Sequence, residues 1–183
     1  MFSLFAALLV AGTALAQTGQ TYGIKSGTIT TETDMMGTKI KATTTFDEYG
    51  ALSYSRTKTE MMGMTIDMAT LTKDGKTYMI NYGDKTVQEM PAQESINYMD
   101  LNEKTIAKYK VKELGQEVVG GKECTQYSVE INQMGQTAKA KTSVWKGIPM
   151  KTVTETMGMS VTALVVDLQE GPVDASLFEV PKF

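Results

Sequence analysis

The side chains best suited to chemistry in this sequence are methionines. There are fourteen in 183 residues, and most stand in or beside a repeated Met-Gly phrase. Residues 31–38 read Thr-Glu-Thr-Asp-Met-Met-Gly-Thr, and residues 59–68 read Thr-Glu-Met-Met-Gly-Met-Thr-Ile-Asp-Met. Residues 154–161 read Thr-Glu-Thr-Met-Gly-Met-Ser-Val, and 132–137 hold a fainter copy, Asn-Gln-Met-Gly-Gln-Thr. A thioether is soft and polarisable, so three readings follow. Methionine can fill a core, line an adaptable surface for apolar ligands, or ligate Cu(I). Met61, Met64 and Met68 lie on one such repeat, but neither His nor Cys accompanies them, which argues against the metal. Histidine is absent from the whole chain. That removes the commonest general base and the commonest metal ligand. Cys124 is the single cysteine; with no base to activate it, it reads as a small buried hydrophobe. No nucleotide-binding glycine loop is present. The sequence therefore predicts no enzyme, no cofactor and no metal.

These residues need elements to position them. A Met-Gly pair between stretches of alternating residues is the pattern of a tight β-hairpin. With the pair as a two-residue turn, Asp34 faces Lys39, Glu32 faces Lys41, Lys58 faces Asp67, Glu60 faces Thr65 and Glu130 faces Lys139. Met61 then meets Met64, and Met61, Met64, Ile66 and Met68 share the other face. Charges gather on one side and apolar residues on the other. A one-residue slip would put every charge on the apolar side. The carboxylates thus read as a solvated, ion-paired face and not as an acid–base pair. Strands are predicted at about 27–35, 38–46, 51–61, 64–73, 76–82 and 85–90, then at 116–119, 122–132, 137–146, 149–156 and 159–168. Asp74-Gly75 is a strong hairpin signal. Around it both faces are apolar, so helices are expected to lie on the sheet there. The stretch 92–112 is the one helical region, with a helix start suggested by Asp100 and Glu103, and two short helices are expected. Residues 17–26 read as a polar lead-in. The tail ends in a short helical turn that tucks Leu177 and Phe178 against the core.

Net charge is −3 with no basic cluster, which excludes a nucleic-acid footprint. Residues 2–16 form a short apolar run ending in Ala14-Leu15-Ala16, the pattern of a secretory signal peptide cleaved between Ala16 and Gln17. The expected organisation is a signal peptide at 1–16 and one β domain at 17–183, acting in the periplasm or outside the cell.

Several motifs carry a family resemblance: Lys-Asp-Gly-Lys-Thr-Tyr-Met at 73–79, Glu89-Met90-Pro91, Gly-Gly-Lys-Glu-Cys-Thr-Gln-Tyr at 120–127, Val144-Trp145 before Gly147-Ile148-Pro149-Met150, and Leu177-Phe178-Glu179-Val180-Pro181. In this order the chain resembles exported bacterial proteins of the LolA/LolB lipoprotein-carrier superfamily. The resemblance implies a mainly β fold, a single large curved antiparallel sheet forming a half-barrel, with a short helical insert at about 92–112. It also implies an apolar interior able to take acyl chains. The carriers' functional residues have no one-to-one match here.

From the residues themselves, a wide apolar face with small side chains at Ala42, Ala138, Ala140 and Ala163 and one short helical region predicts incomplete filling. The candidate lining is Met61, Met64, Ile66, Met68, Met79, Val129 and Val161, for a lipid or an acylated protein, with an envelope or outer-membrane partner. The rival readings are an envelope structural or interaction protein with a filled core and, third, a Met-based Cu(I) protein.

Overall fold

The computed structural model describes residues 20–183 except 36, 62, 92–94, 134–135 and 157, and excludes the side chains of 35, 61, 132, 133, 136 and 156. Eleven strands run in chain order: β1 (Gly27–Met35), β2 (Thr38–Asp47), β3 (Leu52–Met61), β4 (Met64–Lys73), β5 (Lys76–Asn81), β6 (Thr86–Met90), β7 (Lys112–Val119), β8 (Lys122–Gln133), β9 (Gln136–Trp145), β10 (Ile148–Thr156) and β11 (Met159–Glu170). They form one antiparallel sheet in the order β6-β5-β4-β3-β2-β1-β11-β10-β9-β8-β7. The sheet is therefore two meanders. The first runs outward from β1, and the second returns inward from β7 until β11 closes on β1. This is the mainly β, half-barrel architecture expected above.

The hairpin registers match the expected ones. Asp34 lies opposite Lys39 and Glu32 opposite Lys41. Lys58 faces Asp67 and Met61 faces Met64, and Glu130 faces Lys139. Gly37, Gly63 and Gly158 each have positive φ, which glycine adopts without steric cost. Their methionine partners lie outside the described residues. Asp74 and Gly75 both have positive φ, as a type I′ hairpin turn requires.

Among the described residues one ion pair runs straight across, Lys41 to Glu32 at 3.9 Å, and the shorter ones do not. Lys39 bonds Glu32 at 2.8 Å, because Asp34 instead accepts from the Gly37 N–H at 3.0 Å and closes the turn. Asp67 takes both arms of the Arg56 guanidinium at 2.8 Å, a planar fork that a lysine cannot match. Glu130 pairs with Lys110, from the connector, at 2.5 Å.

The insert departs from expectation. Among the described residues it contains one helix, α1 (Glu103–Tyr109), and not two. Asn102 caps it, its side chain accepting from the Thr105 N–H, in place of Asp100. The αL residue Lys110 ends it, and β7 starts at Lys112, earlier than predicted. The polar lead-in is also a correction. Tyr22 and Ile24 are buried in the core with Ile29, Phe46, Ile148 and Val165. Tyr22 meets Phe46 edge-on at 4.7 Å, and burial pushes its phenol up to about 12. Gly147 permits that crossing. A Cβ there would lie 2.3 Å from the Thr21 carbonyl oxygen.

Candidate functional site

Directly opposed residues of an antiparallel pair share a face, so the ladders trace one face across the sheet. Val161 faces Met35 and Thr154, and Thr154 faces Ala140, which faces Val129. In the other direction Ala42 faces Thr57, Thr57 faces Met68, and Thr70 faces Met79. The six candidate residues with described side chains, Met64, Ile66, Met68, Met79, Val129 and Val161, therefore project from the same face, here the inner face.

Their surroundings differ. Val129 is fully packed, with Ala140 and Val111, beneath Ile96, Leu101 and Tyr109 of the insert. Its role is core packing. Ile66, Met68, Met79 and Val161 are half-buried, and Met64 is 66% exposed. The Met61 side chain lies outside the described residues. The insert thus covers the inner face at β8 and β9.

Hydroxyl side chains share this face. Thr44 donates to Ser55 at 2.9 Å, Thr72 and Thr77 pair at 3.4 Å, and Thr152 donates to Thr142 at 3.3 Å. These cross-strand pairs satisfy buried groups that would otherwise carry a desolvation cost.

The outer face carries two features. Over β3–β6, Val173, Leu177 and Phe178 of the tail pack on Tyr54, Ala69, Leu71 and Ile80. The predicted second cover is therefore the chain end, in a 3-10 turn (Ala175–Phe178), and not the insert. Beside it lies an open depression of about 490 Å³ lined by Tyr54, Tyr82, Leu177, Val180 and Pro181 among others. The Tyr54 and Tyr82 hydroxyls pair there at 2.8 Å, and Arg56 lies 4.3 Å above the Tyr82 ring. Burial and the Tyr82 hydroxyl raise the Tyr54 phenol. A second, polar depression of about 510 Å³ is lined by Glu32, Asp34, Lys39, Ser160, Thr162 and Leu164 among others. None of the seven candidate residues borders either one.

The most concentrated chemistry is a cluster that the sequence did not reveal. Glu117 of β7 accepts from Lys151 of β10 at 2.6 Å, from Gln126 of β8 at 3.0 Å and from Ser143 of β9. The Lys151 ammonium, helped by Ser143, holds the Glu117 carboxyl below its ordinary value. These four residues are far apart in sequence, and only the strand order unites them. Donors from three strands converge on this one carboxylate, so the cluster ties four strands together. Cys124 is a buried free thiol whose pKa is raised by burial.

No protein-family model matches the sequence, and no curated protein matches it. Solved structures do share the fold. An uncharacterized conserved protein from Thermus thermophilus superposes with a TM-score of 0.59 over 86% of each chain, at 10% identity. MucB superposes with a TM-score of 0.55 over 98% of this chain and 64% of its own, at 14% identity. This chain spans less than two thirds of MucB's length, a protein also solved with MucA of Pseudomonas aeruginosa. A LolA superfamily protein from Nitrosomonas europaea aligns over 96% and 97% of the two chains, at 9% identity and a TM-score of 0.43.

Proposed function

We propose that the chain is an exported binding protein of the cell envelope that takes a lipid or a lipid-modified chain on its inner face. The supporting observation is the uneven cover of that face. The insert seats on Val129 and Ala140, while Ile66, Met68, Met79 and Val161 stay half-buried. Methionines and β-branched side chains there can adapt to acyl chains of varied shape. Export follows from the apolar run at 2–16 and the Ala-Leu-Ala site before Gln17. N-terminal sequencing of the secreted protein tests it. The fold shared with MucB, a protein solved with a protein partner, is in keeping with binding and not catalysis.

The test is titration with a fluorescent fatty-acid analogue. Ile66→Lys leaves the packed insert contacts intact and is expected to weaken binding about tenfold, since a charge facing an acyl chain is poorly solvated. A folded wild type that shows no saturable binding overturns the reading. One observation favours the rival, an interaction protein with a filled core. The inner face buries paired hydroxyls such as Thr44–Ser55, which close the sheet surface without a ligand. Native mass spectrometry of protein purified from its host separates the two, because only the first predicts co-purifying lipid, and it also registers Cu(I) if any is bound.

A further inference from the structure

The strand methionines are sorted by face. Met64 and Met68 of β4 both project inward, with Ile66 between them. Met68 lies opposite Asn81 and Thr70 opposite Met79. Met68 and Met79 are therefore diagonal neighbours on that face, about 7–8 Å apart. Met90 of β6 faces Thr77, and Met159 of β11 precedes Val161 by one alternation, so both share the inner face. Among the described residues no methionine of β4, β5, β6 or β11 projects outward.

Their access to solvent is graded. Met64 is 66% exposed and Met159 37%, Met68 and Met79 are half-buried, and Met150 in the core is 3% exposed. Cys124, the single cysteine, has no exposure and is closed to a dissolved oxidant. Met99 of the insert is 45% exposed but rests beside Gly147, at the β9–β10 turn. Accessible thioether sulfur thus lies on the very face that would hold an apolar chain.

A thioether is oxidised without prior ionisation. Its sulfur lone pair attacks one oxygen of a peroxide and the O–O bond breaks. The departing hydroxide takes the proton of the transferred oxygen, leaving water and a sulfoxide. The product is polar and chiral where the thioether was apolar and flexible. Against an acyl chain its oxygen finds no donor, which disfavours burial. We propose that Met64, Met68 and Met79 form an oxidation-sensitive control of the inner face. Hydrogen peroxide converts them to sulfoxides and lowers the affinity for an apolar chain. A thiol-dependent sulfoxide reductase reverses the change, forming water and the disulfide of its thiols. This control presupposes that the inner face binds a lipid or a lipid-modified chain.

The protein is treated with hydrogen peroxide until peptide mapping by mass spectrometry finds sulfoxide at Met64, Met68 and Met79 while Met150 stays reduced. It is then titrated with the fluorescent fatty-acid analogue. Met64 should oxidise first, Met68 and Met79 next and Met150 last. Affinity should fall about tenfold, or 1.4 kcal/mol, and return after treatment with methionine sulfoxide reductases and dithiothreitol. Bound probe should slow oxidation of Met68 and Met79 and leave that of Met99 unchanged. Met64→Leu, Met68→Leu and Met79→Leu together conserve volume and remove the sulfur, so binding should persist and no longer respond to peroxide. Met99→Leu should respond as the wild type does. Unchanged affinity after oxidation, or an equal loss in the triple variant, overturns the proposal and leaves the binding reading standing. So does a loss of affinity that comes with loss of the native circular dichroism, because the fold and not the face would then be damaged. A reduced, folded wild type that binds no probe overturns both.

Discussion

Replacing Phe178 by alanine tests whether the chain end is structural. Phe178 is 3% exposed and rests on Tyr54, Ala69, Leu71 and Ile80. Withdrawing a buried aromatic side chain from its apolar site loses about 1.5–3 kcal/mol of transfer energy. The hole left behind adds to this, for a usual total of about 3–5 kcal/mol. Leu71 and Ile80 have no exposure at all and sit in adjacent, laddered strands, so the floor of the hole cannot collapse. The tail above can settle, because its 3-10 turn is short. The lower end of that range, about 3 kcal/mol, is therefore expected. In a chain of this size each kcal/mol moves Tm by about 2–4 °C, so a fall of about 6–12 °C should be seen. Thermal and urea unfolding followed by circular dichroism measure it. Phe183 is the internal control. It is 56% exposed and touches Tyr82 only edge-on, with centroids 5.8 Å apart. Phe183→Ala should cost about 0.5 kcal/mol or less. A loss below about 1 kcal/mol for Phe178→Ala, or equal losses for the two variants, would refute the reasoning.

Further outcomes follow from the charged groups and the thiol. Lys151 and Ser143 depress the Glu117 carboxyl below its ordinary 4.5. A depressed folded pKa gives stability that is present above the ordinary value and is lost as pH falls through 4.5 toward the folded one. Glu117→Gln should flatten that acid limb in urea titrations, and an unchanged slope would sink the assignment. Arg56→Lys gives up the fork on Asp67 and the stacking on Tyr82. The expected cost is about 1 kcal/mol, checked by a double-mutant cycle with Asp67→Asn, whose coupling should exceed that of Lys58 with Asp67. Cys124, fully buried, should resist thiol reagents in the native protein and react on unfolding. Cys124→Ser should keep any binding activity at a stability cost of about 1 kcal/mol. Fast labelling of folded protein would contradict both statements.

The sheet was legible because its signals are local. Alternation and a Met-Gly or Asp74-Gly75 turn fix a hairpin within some dozen residues, and the segregation of Lys58, Glu60 and Asp67 from Met64, Ile66 and Met68 fixes the register. Ion pairing was less legible. Which of two cations a carboxylate takes depends on side-chain reach and turn bonding, as Asp34 shows by capping Gly37. The core roles of Tyr22 and Ile24 were missed because a short irregular segment has no period to read; long-range bonds place it, the Lys146 carbonyl receiving the Gly23 N–H at 2.8 Å and the Tyr49 carbonyl receiving the Tyr22 N–H at 2.9 Å. The Glu117 cluster could not be read at all. Its members converge through the β7-β8-β9-β10 order, which no local pattern encodes. Nor does the sequence say which strand becomes an edge.

The connector between Met90 and Lys112 decides which face is inside. It joins the two outermost strands of an eleven-stranded sheet. Laid flat, that sheet would separate them by roughly 48 Å at about 4.8 Å per strand. Fully stretched around its seven-residue helix, the connector reaches roughly 60 Å. Its described residues fold back on the sheet. Ile96, Leu101 and Tyr109 dip onto Val129 and Ala140, and Asn97 donates to the Gln20 carbonyl at 3.1 Å. The connector thus lies on the face that Val129 shares with Ile66 and Met68. The tail, on Leu71 and Ile80, lies on the outside. The described helix seats toward one edge of that face, and Ile66 and Met68 remain half-buried. A lysine at half-buried Ile66 can keep its ammonium in water, whereas a lysine at Leu71 would be buried under Phe178 and oppose folding itself.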